Sequence, residues 1–142
     1  MPYPNRNTLT QRFISSRQLL PGDWANAITD AITSSQGLTA LGTTQANAAA
    51  ISATNTEVLA GSANNAGVKL PAASPGAEFN ILNNSANTTI VYGSGTDQIQ
   101  NAVGPGGYAA AATGVNMTTL NSAKYFCIKT GFWQVLKTTA GP

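Results

Sequence analysis

The hydrophobic period of two that begins at about residue 57 is the feature that most constrains the fold of this chain. Short runs of alternating apolar and polar side chains, such as "AEFNILNN" and "KYFCIKTG", are separated by Gly, Pro, Asn or Ser. Alternating runs with closely spaced turn residues are typical of all-β domains. We therefore predict a mainly β fold, an antiparallel β-sandwich or small barrel, over about residues 57–137.

The last two runs, "KYFCI" and "FWQVLK", are predicted to form a hairpin. Lys129-Thr130-Gly131 lies between them, and Gly readily adopts the backbone conformations that tight turns require. In the final strand, Trp133 and Val135 face one way, whereas Phe132, Gln134 and Leu136 face the other. Because both faces carry large apolar side chains, we predict that this strand lies between the core and another layer or subunit.

Residues 1–56 are predicted to form a separate N-terminal region. Residues 1–20 contain two early prolines and no regular apolar stripe, which predicts an extended arm that becomes ordered against a partner. The sequence divides accordingly into residues 1–56, with the arm, one short helix and a connector, and a β-domain at residues 57–142.

The short helix is predicted at about residues 23–36. Asp23 is a suitable N-cap, and Trp24, Ile28 and Ile32 recur at helical spacing on one face. Gly37 is predicted to end the helix. Because so short a helix is not stable alone, we expect its apolar face to pack on the domain or on another subunit. Residues 38–56 are predicted as a partly helical connector.

Charge is sparse and unevenly placed. Charged residues make up 8% of the chain, against about 25% in an average soluble protein. Arg6, Arg12 and Arg17 all precede the first acid, Asp23. Such a neutral surface suits lasting contact with neighbours, and the arginines suit an acidic partner. Nucleic-acid binding needs a denser basic patch, and no apolar run approaches the length of about 18 residues that a membrane span requires.

Residues suited to catalysis are few. The chain has no histidine, which excludes a Ser-His-Asp triad, a Cys-His pair and a histidine metal site. We expect no enzyme activity, metal or cofactor. A two-carboxylate hydrolase built on Glu57 and Glu78 remains a remote alternative. The single cysteine, Cys127, is predicted to be a buried thiol in a strand.

A second alternative is recognition of glycans by aromatic side chains. Aromatic side chains at Tyr92 and Tyr108, or the Gly-rich loop at residues 104–107, would then contact the sugar. Aromatic residues at alternating strand positions are more often part of a core or an interface.

Part of the β region matches a recognisable pattern. A "VKLP" strand is followed by the turn Pro75-Gly76, an apolar strand that ends in "NNSAN", the strand "TTIVY" and then "GSGTDQI". The closing "SAKYFCIKTGFWQVL" adds a strand, a Gly turn and an aromatic strand. This pattern resembles small structural proteins of tailed phages over about residues 57–137. The resemblance does not include the N-terminal arm.

The resemblance implies capsid decoration, in which a β-domain sits on the outside of an assembled phage head and stabilises it. Related domains in head and tail fibres leave glycan recognition as the alternative function. The expected partners are the major capsid protein and two further copies of the chain, which would form a homotrimer. Expected capsid-binding residues lie in the arm: Arg6, Arg12, Phe13, Ile14, Arg17 and Leu20. Expected residues of the oligomer interface are Trp24, Ile28, Ile32 and Leu136.

Overall fold

The structure is a computed structural model that describes residues 34–100 and 107–138. These residues form eleven strands and one short 3₁₀ turn at Gln45–Asn47. The strands are β1 (Ser34–Ala40), β2 (Ala49–Ala50), β3 (Asn55–Gly61), β4 (Ala66–Lys69), β5 (Glu78–Asn83), β6 (Thr89–Tyr92), β7 (Gln98–Gln100), β8 (Tyr108–Ala109), β9 (Val115–Met117), β10 (Ser122–Lys129) and β11 (Phe132–Thr138).

The strands are arranged in two sheets. The larger sheet has the order β1-β3-β5-β10-β11-β7-β8, and the smaller has the order β2-β4-β6-β9. Side chains from both sheets form one buried core, with Val58, Ile81 and Trp133 from the larger sheet and Val68 and Val91 from the smaller. The prediction of a mainly β fold is confirmed, and the shared core gives it a sandwich-like architecture.

Successive strands from β1 to β6 alternate between the two sheets. In the larger sheet β3 pairs in parallel with both β1 and β5, and in the smaller sheet β4 pairs in parallel with both β2 and β6. Parallel neighbours require a long crossover between them. Here a strand of the opposite sheet forms part of each crossover, so the chain winds as a coil whose turns stack on one another.

The antiparallel arrangement that we expected therefore holds for only part of the fold. The pairs β5–β10, β10–β11, β6–β9 and β7–β8 are antiparallel, whereas the coil and the pair β7–β11 are parallel. Both sheets are mixed. Side-chain alternation reports which face of a strand is buried but carries no information on the direction of its neighbour, and this explains the difference.

Strand structure begins earlier than the sequence indicated. Residues 34–36, the predicted end of the helix, belong to β1, and Gly37 lies inside that strand with a φ of 76°. The rest of the predicted helix lies outside the described residues. Residue 57, where we expected the strands to begin, falls inside β3, and all described strands belong to a unit that begins at Ser34.

The predicted connector contains the first turn of the coil. Its buried residues are mostly small, including Ala40, Ala49 and Ala53, with Ile51 as the largest. Alanine favours helix in isolation, and small residues do not give a clear alternating pattern. The strands β1 and β2 are therefore defined mainly by their pairing with β3 and β4, which sequence periodicity does not reveal.

The predicted hairpin is confirmed. β10 and β11 pair antiparallel from Ser122 opposite Thr138 to Lys129 opposite Phe132. Gly131 has a φ of 82°, a backbone conformation that glycine adopts readily and most other residues avoid. Trp133 is fully buried and Leu136 is exposed, so the two side chains lie on opposite faces as the alternation predicts. A layer against Leu136 was also predicted and is not present among the described residues of this chain.

The side chain of Asn83, at the end of β5, is fully buried and has a hydrogen-bond partner at every position. Its Nδ2 donates to the carbonyl oxygens of Asn87 and Met117, each at 2.9 Å. Its Oδ1 accepts from the backbone N of Ser85 at 3.1 Å and from Ser85 Oγ at 2.7 Å. Because Met117 belongs to β9, this one amide connects the larger sheet, the β5–β6 turn and the smaller sheet.

Asp97 organises a second turn. Its Oδ2 accepts from the backbone N of Ala73 at 2.7 Å, and its own N donates to the carbonyl of Ser94 at 2.8 Å. A Cβ at Gly93 would lie only 2.3 Å from the carbonyl oxygen of Asp97, so the turn requires glycine there. Gln45 Nε2 donates to the carbonyls of Gly93 and Gly95, both at 2.8 Å. This carboxylate therefore has a structural role.

We predict that Asn83→Ala lowers the free energy of unfolding by about 2–4 kcal/mol, because it leaves several buried polar groups without a partner. The matched control is Asn80→Ala, which removes an exposed amide with a single hydrogen bond, to Asn55 at 2.8 Å. We expect a loss of about 0.5 kcal/mol or less for that variant. Urea unfolding of both variants measures the difference, and equal losses would contradict a central role for Asn83.

A second prediction concerns the phenol of Tyr125, which is fully buried and has no hydrogen-bond partner among the described residues. Burial raises the pKa of Tyr125 well above its ordinary value of 10.0. Because the unfolded chain ionises first, the stability from this group is complete below about pH 10 and falls as the pH rises further.

The variant Tyr125→Phe should reduce this alkaline loss of stability and change the free energy of unfolding at neutral pH by less than about 1 kcal/mol. Unfolding by urea at neutral pH and at a series of alkaline pH values tests both statements. A large loss of stability at neutral pH would mean that the hydroxyl has a partner that stabilises the fold.

Candidate functional site

Most residues predicted to contact a partner lie outside the described part of the chain. This applies to Arg6, Arg12, Phe13, Ile14, Arg17, Leu20, Trp24, Ile28 and Ile32. Leu136 is described, and 59% of its surface is exposed. It lies on the face of the larger sheet that points away from the core, and this face is the candidate functional site.

The outer face of the larger sheet consists of the side chains that alternate with the buried ones, and strand register places them in rows. One row runs Asn55, Asn80, Lys124, Leu136 across four neighbouring strands. A second row contains Glu57, Leu82 and Ser122, and a third contains Glu78, Phe126 and Gln134. We call these rows, with their continuation onto β7 and β8, the outer face.

Polar contacts on the outer face join amides to one another and to carboxylates. Asn80 donates to Asn55, and Asn84 Nδ2 donates to Glu57 Oε1 at 3.0 Å. One ion pair is present among the described residues, between Lys124 Nζ and Glu78 Oε2 at 2.8 Å, and both side chains are largely exposed. An exposed pair of this kind contributes only about 0–1 kcal/mol. The outer face therefore offers amides and aliphatic groups with little net charge.

Large apolar side chains on the outer face are open to solvent. Leu82 is 37% exposed, and Leu59, two residues after Glu57 on β3, is 47% exposed. Together with Leu136 they give three aliphatic side chains whose burial against a partner would be favourable. A fully buried leucine contributes about 1.5–3 kcal/mol. Among residues 34–100 and 107–138, no second layer of strands covers this side of β11.

At the β8 edge the outer face changes character. Here lie Gln100, Tyr108, Phe132 and Gln134, which we call the aromatic–amide patch. The rings of Tyr108 and Phe132 meet edge to face, with centroids 5.1 Å apart and planes at 75°. Gln134 Nε2 donates to the hydroxyl of Tyr108. The ammonium of Lys129 lies 4.7 Å from the centre of the Phe132 ring.

Of the aromatic residues considered for glycan recognition, only Tyr108 is available. Tyr92 is 2% exposed, and its hydroxyl donates to the carbonyl of Thr43 at 2.9 Å. Tyr92 is thus a core residue and cannot contact a sugar. Tyr108 is 37% exposed, and Gly104–Gly106 of the Gly-rich loop lie outside the described residues.

The two carboxylates considered for hydrolysis are too far apart for that chemistry. Glu57 lies opposite Leu82 on β5, four positions beyond Glu78. At about 3.3 Å per residue, the offset along the strands is about 13 Å. Acid pairs in glycosidases are separated by about 5–9.5 Å. Glu78 is moreover paired with Lys124, so this pair does not form a two-carboxylate site.

Cys127 is buried, as predicted, and its Sγ lies 3.1 Å from the carbonyl oxygen of Lys129. Within residues 34–100 and 107–138, no three metal-ligating side chains come together. In the same ranges, no helix has the length and apolar character needed to cross a membrane.

Comparison with known proteins gives no relative. A scan against protein-family models found no matching family, and searches of curated proteins and of solved structures found no match.

We predict that Leu136→Lys lowers the sedimentation coefficient of the purified protein and leaves its circular dichroism spectrum unchanged. A lysine ammonium in a subunit contact would be desolvated without a partner, so the predicted trimer should dissociate. Asn64→Lys is the matched control, because it adds the same charge at an exposed loop position away from the outer face. Identical sedimentation of the wild type and both variants would show that Leu136 does not belong to a subunit interface.

Proposed function

We propose that this chain is a structural virion protein that binds the outside of an assembled phage capsid and stabilises it. In this proposal the protein is a decoration protein without enzymatic activity. Its partners are the major capsid protein and two further copies of itself, and neither nucleic acid nor a membrane takes part. It is located on the outer surface of the phage head.

The composition of the outer face is the observation that supports binding to another protein. This face presents exposed leucines beside neutral amides, with one weak ion pair among the described residues. Among the described residues, the charged side chains of its three rows are Glu57, Glu78 and Lys124, and each has a polar partner. Association with another protein would therefore desolvate few charges. Isolated exposed apolar residues are common on protein surfaces, so support comes from their occurrence together on one sheet face.

The virion context rests on the resemblance of residues 57–137 to small tailed-phage structural proteins. The quoted segments of that pattern have definite positions in the fold. The "NNSAN" segment contains the buried Asn83 and its partner Ser85, and the "GSGTD" segment forms the turn held by Asp97 and Gln45. These residues stabilise the turns of the domain, so the pattern indicates a shared scaffold. We attribute the binding function to the surface of the scaffold and to the arm.

In the proposed mechanism, the arm at residues 1–20 lies along seams between coat subunits. Its arginines would contribute about 0–1 kcal/mol each as exposed ion pairs and would mainly fix the register. Burial of Phe13, Ile14 and Leu20 would contribute roughly 1.5–3 kcal/mol each. Ordering the arm costs about 1–2 kcal/mol per residue, so a single arm binds modestly.

A trimer would overcome the modest affinity of one arm. Once one arm has bound, the other two are held close to equivalent sites, and the overall affinity rises without any new kind of contact. A capsid offers such equivalent sites at its threefold positions. The oligomer and the arm therefore act together in this proposal.

We predict that deletion of residues 1–20 abolishes attachment to heads. The truncated protein should retain its β-sheet circular dichroism and its cooperative unfolding, because the described strands begin at Ser34. The measurement is co-sedimentation of purified protein with heads that lack it. Undiminished attachment of a folded truncated protein would refute the assignment of the arm.

Two triple variants distinguish the contribution of charge to attachment from the contribution of apolar burial in the arm. Replacing Phe13, Ile14 and Leu20 by serine should weaken attachment far more than replacing Arg6, Arg12 and Arg17 by glutamine, since burial provides most of the binding free energy. Attachment of the arginine variant should also depend less on salt. A larger loss for the arginine variant would mean that charge, and not burial, dominates.

A further inference from the structure

The residues of the aromatic–amide patch have no role in the proposed attachment to coat subunits. Its residues come from three neighbouring strands, β11, β7 and β8. Phe132 lies opposite Gln98, and Gln100 lies opposite Tyr108. Continuation of the parallel register places Gln134 beside Gln100, so two amides and a tyrosine form one row at the edge of the sheet.

The exposed ring of Tyr108 is held in place by its neighbours. The edge-to-face contact with Phe132 and the hydrogen bond from Gln134 Nε2 to its hydroxyl both restrict its rotation. Because the ring is already ordered, a ligand that stacks on it loses less conformational entropy on binding. The contact of Lys129 with Phe132 restrains the other ring in the same way.

Several hydrogen-bonding groups in the patch are available. Gln134 Oε1 has no partner within residues 34–100 and 107–138, and the hydroxyl of Tyr108 accepts from Gln134 and can still donate. Gln100 uses its Oε1 in a long contact of 3.5 Å with the backbone N of Val135, which leaves its Nε2 as a donor. Neutral donors and acceptors thus surround an exposed aromatic ring.

This combination is complementary to a hexopyranose. One face of such a sugar carries several C–H groups that pack on an aromatic ring, and its hydroxyls both donate and accept hydrogen bonds, as primary amides do. Among residues 34–100 and 107–138, Lys129 is the cation that lies against the patch. One cation is fewer than the several with which proteins bind phosphate backbones. An aliphatic ligand would leave the amides without partners.

We propose that the aromatic–amide patch binds uncharged hexopyranose units of a glycan, with Tyr108 as the stacking residue and Gln100 and Gln134 as hydrogen-bonding residues. The site is shallow, so a single unit binds weakly and a repeating polysaccharide binds through several copies of the chain. The inference does not depend on the proposed attachment to heads, because it involves neither the arm nor the leucines of the outer face.

The test uses the full chain and four defined trisaccharides: maltotriose, cellotriose, mannotriose and tri-N-acetylchitotriose. Each is titrated into isotope-labelled protein to about 10 mM, a range that detects millimolar dissociation constants. We expect at least one of them to shift the side-chain amide resonances of Gln100 and Gln134 in a saturable way. The absence of any saturable shift with all four sugars would overturn the proposal.

Variants then assign the binding to the patch. Tyr108→Ala should reduce affinity about tenfold because the stacking surface is lost, whereas Tyr108→Phe should reduce it only about two- to fivefold. Gln134→Ala should also weaken binding. The matched control Asn64→Ala removes an exposed amide from a distant loop and should bind as the wild type does.

Two outcomes of these experiments would contradict the proposal even if a sugar binds. Equal affinity of the wild type and Tyr108→Ala would place the site elsewhere. Stronger binding to sulfated dextran or to single-stranded DNA than to every neutral sugar, with a steep dependence on salt, would show that Lys129 and other cations recognise charge. Loss of head attachment on deletion of the arm would leave these results unchanged.

Discussion

The buried amide of Asn83 is the interaction on which the described fold most depends. An unpaired amide at this depth would cost far more than one hydrogen bond normally contributes, so the structure is stable only if its partners stay in place. Those partners are Ser85, Asn87 and Met117, which belong to the β5–β6 turn and to the smaller sheet. One side chain therefore requires the two sheets and the turn to assemble together.

Neutral polar groups are prominent on the surface as well as in the core. Neutral amides and hydroxyls satisfy most polar contacts of the described residues, and the carboxylate of Asp97 is used to hold a turn. What remains on the outer face is suited to binding: leucines at one part, and ordered aromatic rings with free amide groups at the β8 edge. We propose that the β-domain offers two kinds of contact surface and that the arm adds a third.

The alternation of apolar and polar residues was enough to predict which side of a strand is buried. It was not enough to predict which strands pair with one another. The β10–β11 hairpin and the outward position of Gln134 and Leu136 follow from local pattern and turn chemistry. The coil of β1 to β6 could not be predicted in this way. Its parallel pairs join segments that are distant in sequence, and its alanines favour helix in isolation. Burial of Tyr92 and exposure of Tyr108 likewise depend on strand position. The patch could not be predicted, since Gln100 and Tyr108 meet Gln134 only through the pairing of β7 with β11 and β8.

We propose that many copies of this chain adhere to a symmetric shell. The most direct test is the copy number and location of the protein on purified phage heads, determined by quantitative mass spectrometry and by image reconstruction of the heads. Our account predicts a copy number in a fixed ratio to the coat protein, with density on the outer surface at symmetry-related positions. A few copies at one vertex or at the end of a fibre, or none on intact heads, would contradict it.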